Sequence, residues 1–284
     1  MNNLKQLSKK GWQFVGLTLV LSAIPYFFLI RDKNIESDWA LLLMWMPGIA
    51  AISMRLWHRE GLFSGLVWNP LKAWKWIVLA AFIPFTIEII TIILTVGVGA
   101  GTLKEGFLII QNGQVSILGI AMLFGASAQP WFLFLPNFIA SYFVGALFYS
   151  LAFALGEELG WRGYLQKEWA PTNALFPFLV IGVIWGWWHL PGILLGHNYP
   201  EYPILGGILL MPVVTILFSI AFGVAFNKKR VLWVPVVFHG AVNISAEISN
   251  VGLVEASVNR PVNDFIWTVL WALAAFIIWK KREK

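Results

Sequence analysis

Eight apolar runs, each close to the roughly 20 residues that an α-helix needs to cross a bilayer, recur along this 284-residue chain. Their cores lie at 12–30, 39–54, 76–98, 134–156, 174–190, 204–226, 231–249 and 264–279. Only 12% of the residues are charged, about half the roughly 25% that a soluble domain carries. So few charges cannot clothe a water-facing surface. In hydrocarbon every backbone polar group must be satisfied within its own segment, which selects helices for apolar runs of this length. The expected fold is therefore all-α: a polytopic membrane protein of about eight transmembrane helices, in one membrane domain over 1–284. Cysteine is absent, which excludes disulfides, zinc ribbons and cysteine nucleophiles. The net charge of +6 does not point to nucleic acid, because no soluble surface is long enough to form a basic groove.

The charge encodes orientation instead. Segments 1–11, 55–75, 157–173, 227–230 and 280–284 hold 16 of the 20 Lys and Arg residues. The alternate loops hold only Arg31, Lys33, Lys104 and Arg260. With eight spans the two sets alternate without a violation, which places both termini in the cytoplasm of an integral protein of the cell membrane. The first run is followed by Arg31-Asp32-Lys33, with no small-residue cleavage site, and reads as a retained anchor. The stretch 60–75, with Trp68, Lys72 and Trp74, reads as interfacial. The longest loop, 100–130, contains no element that its pattern resolves.

Ionisable groups inside apolar spans are costly and are candidates for function. In Gly156-Glu157-Glu158-Leu159-Gly160-Trp161-Arg162 two adjacent carboxylates end an apolar run. Adjacent helical positions point about 100° apart, so the two have different tasks. Glu158 and Arg162 share one face four residues apart, in the favourable order for an ion pair. Glu157 then has no local partner, and a buried carboxylate of that kind suits a general base. The bland alternative is an interfacial charge cluster. His189 follows Trp185 by one turn and precedes Pro191 by two residues. His239, Asn243 and Glu247, spaced four apart, form a polar stripe that faces protein or water. Glu88 stands alone in Pro84-Phe85-Thr86-Ile87-Glu88.

Depth connects three of these helices. If the fourth continues through Trp169, then Glu157 and His189 each lie roughly 20 Å from the turn at Pro171, and His239 lies roughly 16 Å past Lys228. Three polar constellations then reach similar levels on the fourth, fifth and seventh helices.

The motifs Glu157-Glu158-Leu159-Gly160-Trp161-Arg162, Trp185-Gly186-Trp187-Trp188-His189 and His239-Gly240-Ala241-Val242-Asn243 resemble those of the CAAX prenyl protease type II and bacteriocin-processing (CPBP, or Abi) family of intramembrane endopeptidases. They appear in that family's order within a region, 131–250, that the resemblance marks as a catalytic core. Trp185 departs from the commoner phenylalanine of the second motif. The resemblance implies peptide-bond hydrolysis in a membrane-anchored or lipidated substrate, of the CAAX-processing kind. It implies that Glu157 and His189 activate a water, that His239 and Asn243 stabilise the oxyanion, and that Glu158 and Arg162 support the helix. No cofactor is required in that scheme. Glu157, His189 and His239 are also the alternative ligands of a zinc ion or another divalent metal, although Asn243 suits an oxyanion donor better than a ligand.

Other classes fit less well. His-Glu-x-x-His is absent. Gly125-Ala126-Ser127-Ala128 faintly resembles a rhomboid serine motif but leaves the glutamate pair unexplained. A membrane transporter with a relay through Glu88, Glu247 and the histidines is the principal alternative. A non-catalytic bacteriocin-immunity protein is another.

Overall fold

The computed structural model describes residues 7–125 and 128–282. Ser127 of the faint serine motif, and the terminal Lys5 and Lys284 of the charge count, lie outside the described residues. The chain is an all-α polytopic membrane protein. Its helices are α1 (Lys9–Asp32), α2 (Asp38–Trp57), α3 (Trp74–Gly97), α4 (Trp131–Tyr149), α5 (Leu155–Gly160), α6 (Gln166–Trp169), α7 (Leu175–Trp188), α8 (Leu190–Leu194), α9 (Pro203–Leu205), α10 (Met211–Asn227), α11 (Trp233–Gly252) and α12 (Arg260–Lys280).

Seven helical stretches among the described residues are long and apolar enough to cross a membrane. The eighth expected span, α11, is a helix of 20 residues, about 30 Å long, but falls outside that apolar set. Its His239–Asn243–Glu247 stripe is what lowers its hydropathy. The fourth span runs on beyond the expected core at 134–156 to Trp169, as the depth argument supposed, and crosses two π-helical turns, Ser150–Ala154 and Trp161–Leu165. π-turns of this kind are frequent where a helix carries a functional group, and these two bracket the Glu157 segment.

The loop 100–130 departs from the helical pattern with a three-stranded antiparallel sheet in the order β1 (Leu108–Gln111), β2 (Gln114–Ile117), β3 (Ala128–Pro130). Gln111 pairs with Gln114 across Asn112-Gly113, and both central residues have positive φ, 50° and 73°. Asn-Gly is the preferred pair for such a tight turn, so this hairpin carried a readable signal.

Two compact units make up the fold. The first comprises Met1–Ile77, Ala152–Val236 and Trp271–Lys284. Within it, close backbone approach depends on glycine. A Cβ on Gly156 would lie 2.7 Å from the Cα of Trp45, and one on Gly160 would lie 2.5 Å from the Cβ of Pro47. α7 approaches α10 in the same way at Gly182 and Gly186, where an added Cβ would meet the Cα atoms of Ile216 and Pro212 at 2.4 and 2.5 Å. Small residues four apart let membrane helices pack backbone to backbone. On the loop side, Glu60 accepts hydrogen bonds from Lys10 and Lys167, both at 2.7 Å. These two bonds, against a smaller opposing effect of burial, hold the Glu60 carboxyl down at about 2.

The second unit comprises Val78–Leu151 and Val237–Leu270. Its core gathers Ile92, Tyr142, Ala146, Ala241, Ile248 and Leu253. The Tyr142 hydroxyl donates to the Ala81 carbonyl at 2.7 Å and lies 3.1 Å from Ser245 Oγ on α11. Gly240 lets α11 approach the Ser150 turn, since a Cβ there would be 2.6 Å from the Ser150 nitrogen.

Candidate active site

The first unit holds Glu157, Glu158, Arg162, Trp185 and His189. Glu157 is 2% exposed, and Glu158 and Arg162 are fully buried. The expected ion pair is present: Arg162 Nη1 donates to Glu158 Oε1 at 2.9 Å. Its guanidinium also lies 4.2 Å from the centroid of the Trp185 ring and 5.1 Å from that of Phe222. Aromatic faces suit a weakly hydrated guanidinium out of water.

Glu157 differs from the expectation that it lacks a partner. Its Oε2 accepts the indole N–H of Trp185 at 2.7 Å and that of Trp161 at 3.3 Å. Trp161 is four residues away on the same helical run, so this contact was accessible to helical spacing. Trp185 is 28 residues away, and only the packing of α7 brings it in. Two neutral donors replace some of the hydration that a buried carboxylate loses, because charge-assisted hydrogen bonds are the strong ones.

His189 is the C-terminal cap of α7. Its own N–H bonds back to the Gly186 carbonyl at 3.1 Å, one residue short of the α-helical partner. The Trp185 carbonyl, left without that N–H, lies 2.8 Å from His189 Nδ1. A carbonyl only accepts, so Nδ1 is the donor and Nε2 carries the lone pair of the neutral ring. The preceding residue is fixed from α1: the Tyr26 hydroxyl donates to the Trp188 carbonyl at 2.6 Å, and the Trp188 indole donates to Ser22 Oγ at 2.8 Å. Ser22 and Tyr26 were not foreseen from the sequence, and nothing in their local pattern marks them.

The second unit holds the α11 stripe. His239 is 8% exposed, Asn243 is half-buried and Glu247 is exposed. Asn250 approaches Glu247 at 3.5 Å, which is too long to matter energetically. Glu88 is buried in this unit. Ser249 of α11 donates to its Oε1, and Trp267 of α12 donates to its Oε2 at 3.1 Å. Both carboxylate oxygens thus join helices, and Glu88 acts as a clamp on the helix that carries the stripe. No group of three or more His, Cys, Asp or Glu side chains is placed to hold a metal ion among the described residues.

A polytopic membrane protein with a buried, hydrogen-bonded carboxylate and an ion-paired neighbour on one helical run is the class that fold and site define. Residues 139–245 match the family of Rce1-like type II CAAX prenyl endopeptidases. It lies inside the expected 131–250 core and includes every motif residue from Glu157 to Asn243. The CAAX prenyl protease 2 of Methanococcus maripaludis is 30% identical over 113 residues, which are 37% of this chain and 41% of that relative. The chain therefore matches less than half the length of the curated relative.

Proposed function

We propose that this protein is an intramembrane endopeptidase that hydrolyses a peptide bond near the C-terminus of a membrane-anchored, lipidated substrate of the CAAX type. The observation that carries the reading is Glu157: a buried carboxylate ordered by two indole donors, inside the segment that matches CAAX prenyl endopeptidases. In this scheme Glu157 takes a proton from a water that His189 helps to hold. The hydroxide adds to the scissile carbonyl, and the developing oxyanion accepts hydrogen bonds from His239 and Asn243, donors of the kind that most stabilise such charge. Collapse of the tetrahedral intermediate breaks the C–N bond, and the proton returns from Glu157 to the leaving amine. Glu158 and Arg162 hold the helix and set the field.

Glu88 supports a structural role over a transport relay, since Ser249 and Trp267 engage its two oxygens. The test is cleavage of a farnesylated CAAX peptide by the purified protein in nanodiscs, with and without chelator. Chelator-resistant cleavage that is lost in Glu157→Gln, His189→Ala and His239→Ala is the expected result. Undiminished cleavage by Glu157→Gln would refute the proposal, and cleavage abolished by chelator and restored by zinc would replace the metal-free scheme.

A further inference from the structure

The second motif asks only for an aromatic residue one turn before the histidine, and ring packing alone would satisfy it. Trp185 does more, through three different parts of the residue. Its N–H donates to Glu157 Oε2 at 2.7 Å. The face of its ring lies 4.2 Å from the Arg162 guanidinium that pairs with Glu158. Its carbonyl accepts from His189 Nδ1 at 2.8 Å. One residue thus touches the carboxylate, the ion pair and the histidine.

From this we infer that Trp185 is a positioning residue for Glu157, an inference that rests on the reading of Glu157 as the base. The carbonyl contact is a backbone property that any residue at 185 would supply. The ring contact would survive replacement by phenylalanine. The N–H alone is peculiar to tryptophan, and it is well prepared for its task. The indole is 1% exposed and lies against Phe218 and Phe222, with ring centroids 6.1 and 6.4 Å away. The adjacent Gly186 is pressed against the backbone of Pro212, which fixes the helix that carries it. A donor that cannot rotate away holds the carboxylate plane before substrate arrives. Trp161 reaches the same oxygen at 3.3 Å and contributes less. Reaction rates fall steeply when a reacting group moves by even about 1 Å, so loss of the closer donor should act on the chemical step and leave substrate binding alone.

The test compares wild type, Trp185→Phe, Trp161→Phe and Glu157→Gln in the nanodisc cleavage assay, with indole N–H resonances of ¹⁵N-tryptophan-labelled protein as a second readout. Trp185→Phe should lower kcat roughly 10–100-fold with KM within about twofold, following the cost of misplacing a reacting group. Trp161→Phe should lower kcat less. The resonance that disappears in Trp185→Phe should move upfield in Glu157→Gln, as the charged acceptor is lost. A kcat within twofold of wild type in Trp185→Phe, together with inactivity of Glu157→Gln, would overturn the inference and leave the proposed function intact. A Trp185 resonance unmoved in Glu157→Gln would overturn it through the contact itself. Wild-type cleavage by Glu157→Gln would overturn the assignment of the base, and with it both readings.

Discussion

Replacing Gly156 by alanine probes how tightly the Glu157 segment is set against α2. The new Cβ would sit 2.7 Å from the Trp45 Cα and 2.8 Å from the Met44 carbonyl oxygen, where ordinary contact begins at 3.4 Å. The shortfall is about 0.7 Å against backbone atoms, which cannot swing aside as a side-chain tip would. The strain is relieved only if α2 and α5 separate by a comparable amount. Overpacking of this kind typically costs about 1–3 kcal/mol, against a helix-propensity gain of at most about 1 kcal/mol for glycine to alanine. The middle of that cost set against the full gain leaves a net loss of about 1 kcal/mol. Glu157 is the next residue, and its 2.7 Å bond to Trp185 has no slack for such a shift. We expect Gly156→Ala to lower Tm by a few degrees and kcat by roughly 10–100-fold, since about 1 Å of misplacement can cost about 100-fold. Gly16→Ala is the control. On α1 an added Cβ there meets nothing within 4 Å, so Tm should be equal or higher and cleavage unchanged. Thermal unfolding in nanodiscs and steady-state cleavage measure both quantities. A Gly156→Ala protein with wild-type Tm and kcat would refute the claim that close helix approach holds Glu157 in place.

Two further perturbations separate the supporting interactions. Glu60 ionises at about 2 in the folded protein, against an ordinary value of 4.5, so its contribution to stability is full above about 4.5 and is lost as pH falls through about 2. Glu60→Gln should therefore lower Tm at neutral pH by an amount that disappears in acid, and an equal Tm difference at pH 7 and pH 2 would refute the Lys10–Glu60–Lys167 linkage. Glu88→Ala should destabilise the protein by about 1–3 kcal/mol, because half-buried donors on Ser249 and Trp267 lose their acceptor. Proteoliposomes of the wild type should show no proton flux, and a flux that Glu88→Gln abolishes would favour transport over the clamp.

Much of the architecture follows from local composition. Apolar runs of spanning length force helices in lipid whatever their neighbours are, so the spans were legible one by one. The Glu158–Arg162 pair was legible for the same reason, since four residues on a helix bring two side chains together without help from the rest of the chain. Glycine spacing at 156–160 and 182–186, and Asn112-Gly113 in the loop, are local signals as well, of close packing and of a hairpin, which the reading of 100–130 as an unresolved loop missed. The polarity of α11 was visible as its stripe of histidine, asparagine and glutamate, and it is why a 20-residue helix falls outside the apolar set.

Partners that are distant in the chain were another matter. Nothing between residues 157 and 185 announces that an indole will reach a carboxylate, or that Tyr26 and Ser22 of α1 will hold Trp188 beside His189. Hydrogen bonds of that kind depend on the rotation of one helix about its axis against another. That rotation is decided by which glycines allow backbones to meet, and a polar side chain finds its partner only after the helices have packed. From sequence alone this protein is a bundle of spanning helices that carries an ordered set of polar motifs. Tertiary packing alone decided that the indole of Trp185 reaches the Glu157 carboxylate.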